Sequence, residues 1–304
     1  MVHFTKFVGQ TIAMALAFAL LIAQLADAHP FKNREATRID RFEQEEDAFA
    51  APALSGPEQV YDSTRFRIHY TLLGQDAVPK ADDNANGTPD YVEQVVVVLE
   101  EVYRIEVEQF GWVAPPADKG FGGNDLYDVY LLEMLGEGLA GFVDGGFEET
   151  RVGDNPNSPN VVETRASFSL MGLDNDYADA NEFEQGDTPA ALLRTTVAHE
   201  YTHALQMGYD GEEPLEWIWE ASATWMQDEV FNDVNDANDT IADMVESPST
   251  CQAAADPYAM WVFLRYISER FGGETVRAIW ENAVALDGYA TLEAALAQAG
   301  GSLD

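Results

Sequence analysis

The chain contains one cysteine, Cys251. No disulfide can form within it, so stability has to come from core packing and bound metal. Cys251 follows Ser247-Pro248-Ser249-Thr250 in a polar stretch and is assigned no chemistry. Basic residues are also scarce: 16 Lys and Arg stand against 54 Asp and Glu, a formal net charge of -38. Such a surface repels phosphate backbones and anionic lipids, which excludes nucleic acid and anionic membranes as partners. It reads as a solubility device for a salty or calcium-rich exterior rather than as a recognition surface. Histidine is scarcer still, with five in the chain, so a histidine-bound metal has few positions to draw on. Beyond the first residues there is no apolar run near the roughly 20 residues that span a bilayer, and no stable membrane insertion is expected of the mature chain.

The first residues carry the one apolar run. Lys6 precedes a run from Thr11 to Leu25, which ends at Ala26-Asp27-Ala28, a small-x-small cleavage signal. Residues 1–28 therefore read as a secretory signal peptide cleaved after Ala28, which makes the protein secreted. Residues 29–58 mix charges with Ala and Pro without a sustained period and read as a linker or propeptide. Residues 59–304 form the folded domain.

Within that domain the first half reads as strands and one helix. Arg65 to Tyr70 alternates, with Phe66, Ile68 and Tyr70 on one face, as a strand does. Tyr91 to Phe110 has no breaker before Gly111 and reads as a helix. Strands are expected at Tyr127 to Leu132 and Val161 to Leu170, with the glycine-rich Gly136 to Gly146 as loop between them. The second half turns helical. Asp187-Thr188-Pro189 supplies a cap and a first-turn proline, and no breaker follows until Gly208. Further helices are expected from Pro214 to Phe231 and, two or three in number, from Pro257 to Gln298, with an acidic loop at Asn232 to Ala255.

The chemistry is concentrated in His199-Glu200-Tyr201-Thr202-His203. On a helix, residues four apart share a face, so His199 and His203 can reach one zinc ion. Glu200 projects beside that ion and can act as general base toward an attacking water made acidic by it. Catalytic zinc takes a third protein ligand. His3 leaves with the signal peptide, His29 becomes the new terminus, and only His69 remains outside the motif, so a carboxylate is the better candidate. Glu216 and Glu220 lie one turn apart on the next helix, and spacing does not choose between them.

Glu220 in its Glu220-Ala221-Ser222-Ala223 setting, closely following the zinc helix, resembles the gluzincin clan, with Ala221 where a glycine is usual. The segment Ala198 to Gln206, the Asp/Asn loop upstream and Asp174-Asn175-Asp176 resemble a family of secreted bacterial zinc metalloproteases of myxobacterial type, over roughly residues 60–285. The resemblance implies an α+β zincin-like fold, with a small twisted sheet beside the zinc helix and a mostly helical C-terminal lobe. It also implies peptide hydrolysis, and Glu220 as the third ligand because the match falls there. A donor to the oxyanion is then needed. Tyr258, in Asp256-Pro257-Tyr258, and His69 are the candidates, and Tyr258 is similar in placement to tyrosines of some gluzincins. Thr224 is weighed as a group behind a zinc-binding histidine, against an ordinary helix-surface threonine.

A second pattern runs from Asp82 to Glu93 and meets every position of a calcium-binding loop. Asp82, Asn84 and Asn86 supply side-chain oxygens, Thr88 its carbonyl, Asp90 a direct or water-bridged oxygen and Glu93 both carboxylate oxygens. Gly87 permits the turn. The calcium would be structural. Asp174, Asp176 and Asp179 read as an ordinary acidic loop rather than another ion site. Two functions follow: a zinc metallopeptidase acting on a peptide or protein substrate, or a catalytically inactive, calcium-stabilised surface or adhesion module. His199, Glu200, His203 and Glu220 together favour the enzyme.

Overall fold

The computed structural model describes residues 49–146, 148–180, 188–238, 240–241 and 256–303. The expected signal peptide, the linker up to residue 48, and Cys251 with the acidic stretch around it lie outside the described residues. Among the described residues, no helix is long and apolar enough to cross a membrane.

The fold is α+β. Among the described residues the strands are β1 (Glu58–Asp62), β2 (Phe66–Thr71), β3 (Tyr127–Leu132), β4 (Gly141–Gly145), β5 (Arg151–Gly153), β6 (Ala166–Ser167) and β7 (Ser169–Asp174). Between β2 and β3 lies α1 (Asp90–Tyr103), which widens into a π-helical turn at Arg104–Gln109. Among the described residues after β7 the long elements are helices: α2 (Pro189–Asp210), α3 (Glu216–Val230), α4 (Trp261–Phe271), α5 (Glu274–Ala283) and α6 (Tyr289–Gln298).

The main sheet is mixed, in the order β1-β2-β3-β7-β4. β2, β3 and β7 are parallel, whereas β1 and β4 are antiparallel additions at the two edges. The expected alternation holds in β2, where Phe66, Ile68 and Tyr70 are all buried in the core. α1 covers the sheet with one apolar stripe, Val92, Val95, Val98, Leu99 and Val102, and leaves Val97 exposed. Tyr201 of α2 packs edge-on against Phe66 and Tyr127 and lies beside Tyr103, which joins α2 to β2, β3 and α1 in one aromatic knot.

Two expectations are corrected here. Val161 to Leu170 is not one strand. Val162 is exposed, Glu163 turns inward to accept the Asn155 N–H at 3.2 Å, and the strand of the main sheet is β7. The glycine-rich stretch 136–146 is not all loop, because it contains β4. A Cβ on Gly145 would stand 2.7 Å from the Phe168 carbonyl oxygen, so the glycine marks a close approach inside a strand.

α2 begins as its sequence implies. Thr188 Oγ1 accepts the Ala191 N–H at 3.2 Å, and Pro189 occupies the first turn. The helix passes Gly208 and ends at Asp210. From Thr195 onward every residue of α2 is buried, because sheet, α1 and α3 surround it. A helix buried on all sides still carries His199, Glu200, Thr202, His203, Gln206 and Asp210, and each of these polar groups has to be accounted for.

Candidate metal centre

α2 and α3 bring the expected residues to one point. His199 Nε2 lies 3.0 Å from Glu220 Oε2 and 3.2 Å from His203 Nε2, and His203 Nε2 lies 3.4 Å from Glu220 Oε2. The other nitrogen of each ring is tied down. His199 Nδ1 is 2.8 Å from Gln227 Oε1, and His203 Nδ1 is 2.8 Å from Gln206 Oε1. An amide oxygen only accepts, so both Nδ1 atoms donate, and both Nε2 atoms face Glu220. These three groups, nearly shut off from water, could hold a metal ion among them.

The electrostatics agree. Burial lowers the proton affinity of His199, but the hydrogen bond and charge of Glu220, with help from Glu200 and Gln227, outweigh it and push its pKa up to about 9. Burial raises the Glu220 carboxyl, yet the charges and hydrogen bonds of His203 and His199 hold it well below the usual carboxylate range.

The glutamines are themselves held. Gln206 Nε2 donates to Trp219 O at 3.0 Å and to Ser222 Oγ at 2.8 Å, while Gln227 Nε2 donates to Asp236 Oδ1 at 3.2 Å. Ser222 Oγ in turn donates to Ile218 O and accepts the Trp280 indole N–H. Neither Gln206 nor Gln227 is among the residues the sequence motifs single out. Their spacing offered a signal, since Gln206 lies three residues after His203 and Gln227 lies seven after Glu220.

Glu200 sits next to this triad, 7 % exposed, with Oε2 buried and free of any hydrogen bond. β4 passes directly beside it. A Cβ on Gly141 would stand 2.9 Å from Glu200 Cγ and 2.6 Å from Thr196 Cγ2, so only glycine lets the edge strand come this close. Tyr258, in the 3-10 turn Tyr258–Met260, stacks its ring on His199 with centroids 5.6 Å apart and planes at 24°. Trp219 lies beside His203, with ring centroids 6.5 Å apart.

The remaining candidates lie elsewhere. Glu216 is exposed at the start of α3 and outside the cluster. Thr224 is buried, not on the surface as expected, and its hydroxyl makes no hydrogen bond; Gln227 holds the back of His199 instead. His69 is in β2, buried between Glu58 at 2.8 Å and Asp128 at 3.0 Å and stacked on Tyr130. Burial opposes its protonation, but those two carboxylates raise its pKa. Close by, burial and the neighbouring Asp128 push the Asp118 carboxyl up to about 6. Asp174 organises a loop: its carboxylate accepts backbone N–H groups from Met134, Leu135, Asp176 and Tyr177.

The 82–93 loop also draws its side chains together. Glu93 accepts from the Asn84 amide at 2.8 Å and the Asn86 amide at 2.6 Å, and Asp82 accepts the N–H groups of Asn86 and Gly87. Asn86 Oδ1 accepts the Thr88 N–H, and Asp90 accepts the N–H of Asp83. Gly87 takes φ +92°, the conformation the turn requires.

Residues 188–290 match a family of unknown function (DUF6055). The matched stretch begins at the cap of α2 and contains His199, Glu200, His203, Gln206, Glu220, Gln227 and Tyr258. No curated protein and no solved structure matches the chain.

Proposed function

We propose that the protein is a secreted, zinc-dependent metallopeptidase. The observation that carries the reading is the meeting of His199 Nε2, His203 Nε2 and Glu220 Oε2 within 3.0–3.4 Å, each imidazole locked by a glutamine, beside a buried Glu200 whose Oε2 has no partner. Two imidazoles and one carboxylate form a donor set suited to zinc and unlike the all-oxygen shells of calcium and magnesium. A zincin-like fold is supported by the mixed sheet whose antiparallel edge strand, β4, runs beside the helix that carries both histidines.

Zinc, when bound, supplies a Lewis acid that polarises the scissile carbonyl and acidifies the attacking water. The chain's own residues do the rest. Glu200 takes the proton from water as the carbonyl carbon is attacked, then delivers it to the amine nitrogen as the peptide bond breaks. Its unpartnered oxygen in a dry pocket suits both tasks, since no competing hydrogen bond has to be broken first. Tyr258, beside His199, is the candidate to donate to the developing oxyanion. β4 lies at the edge of the main sheet beside Glu200, where an extended peptide substrate is expected to run. The 82–93 loop is read as a structural calcium loop, supported by Asp82, Asn84, Asn86 and Glu93 drawing together at the N-terminus of α1.

The test is Glu200→Gln. It should keep zinc, because all three ligands survive, and lose cleavage of a mixed peptide library by at least about 10²-fold. A zinc-replete Glu200→Gln protein with full activity would refute the assignment. A zinc-replete wild type that cleaves nothing would point instead to an inert, calcium-stabilised module.

A further inference from the structure

A second group of carboxylates lies at the far end of α2. Asp210 closes that helix, Glu213 lies in the turn to α3, and Asp287 lies in the turn between α5 and α6. One oxygen from each falls within 4.8 Å of the other two. Asp210 is wholly buried and Glu213 is 6 % exposed, whereas Asp287 is on the surface.

The negative charge of this group is only partly offset. Arg165 is the nearest cation, with Nη2 2.6 Å from both Asp210 Oδ2 and Asp287 Oδ1. Arg151, paired with Glu212, also acts on Asp210 from further away. Glu213 Oε1 accepts the N–H groups of Leu215 at 2.8 Å and Gly288 at 2.9 Å, which fixes the side chain, but its Oε2 is buried with no hydrogen bond at all. Asp210 Oδ1 accepts the Glu212 N–H, while Oδ2 has the ion pair and no hydrogen bond. A buried carboxylate oxygen without a donor costs several kcal/mol unless something positive faces it.

We propose that Asp210, Glu213 and Asp287 form a binding site for a divalent, oxygen-preferring cation of the calcium class, distinct from both the triad and the 82–93 loop. The donors are all carboxylate oxygens, which selects against zinc. The buried Glu213 Oε2, which has no donor, gives such an ion an oxygen to bind. The three ligands come from the end of α2, the α2–α3 turn and the α5–α6 turn, so the ion would fasten the helix that carries His199 and His203 to the C-terminal helices.

Calcium chloride titrated into the full-length Glu93→Gln protein tests this with the upstream loop disabled. A calcium-dependent rise in melting temperature should remain. The size of that rise should grow with calcium concentration. Adding Asp287→Asn, a surface change that spares folding, should weaken binding at least tenfold. The proposal is overturned if the Glu93→Gln protein shows no calcium response, or if Asp287→Asn leaves that response unchanged. Neither readout involves peptidase activity, so the outcome is independent of the function proposed above.

Discussion

Gln206 holds His203 from one turn further along the same helix: its Oε1 lies 2.8 Å from His203 Nδ1, while its Nε2 reaches across to Trp219 O and Ser222 Oγ on α3. One amide thereby sets the tautomer of a candidate ligand and ties it to the helix that supplies Glu220. Gln206→Met should keep the fold and lower zinc affinity by about 10–100-fold, as losses behind a metal ligand do. Gln206→Glu, which keeps an acceptor at the same place, should recover most of it. Competitive chelator titration reads both.

Glu220 and Glu216 stand one turn apart on α3, and only Glu220 reaches the two imidazoles. Glu220→Ala should cost on the order of 100-fold or more in zinc affinity, because a ligand and its neutralising charge leave together. Glu216→Ala should cost almost nothing. Equal affinities for the two variants would show that the carboxylate ligand is misassigned.

Much of this centre was legible in the sequence, for a physical reason. Helix periodicity is local, so His199 and His203 four apart, the cap at Thr188 and the Glu220 helix could be read without knowing the fold. What sat on the other side of the site was not local. β4 was hidden because glycines at 141 and 145 signal a loop when read alone, whereas here they record the nearness of Glu200, Thr196 and Phe168. Thr224 looked like a surface threonine because nothing in its neighbours says that both sides of α3 are covered. The strand expected at Val161 to Leu170 began too early, since apolar residues such as Val162 gave no sign that Glu163 would turn inward and hold a loop.

Gly141 makes that hidden contact testable. Gly141→Ala places a methyl 2.6 Å from Thr196 Cγ2 and 2.9 Å from Glu200 Cγ. Overpacking of this kind costs about 1–3 kcal/mol. The general base should be displaced while all three ligands stay in place, so the expected result is lower turnover with normal zinc content. Metal analysis beside steady-state kinetics separates this from general unfolding, in which both would fall.

The pH dependence of stability should carry the mark of Asp118. Its pKa in the fold is about 6, above that of an ordinary unfolded aspartate. The folded state therefore binds this proton more tightly. The stabilisation is complete below about pH 4 and is lost as pH rises through about 6. Asp118→Asn removes that loss. The variant should melt roughly 2–6 °C above wild type at pH 8 and close to it at pH 4.5. A variant that gains more at the acid end would contradict the sign.

Calcium at the 82–93 loop should be felt first in the helix it leads into. Removing calcium is expected to speed amide exchange in α1 while α2 stays protected, because the loop closes directly onto the first turn of α1 through Glu93. Glu93→Gln should exchange fast in α1 whether or not calcium is added.

The mounting of the triad on two helices alone has a kinetic consequence. Glu220 and Gln227 grip His199 from α3, and Gln206 of α2 reaches back to α3, so no ligand can swing away on a loop of its own. Escape of a bound ion then waits on the parting of α2 from α3. Loss to a strong chelator should proceed at a rate that stops rising once the chelator is in excess, and that rate should share the steep temperature dependence of unfolding.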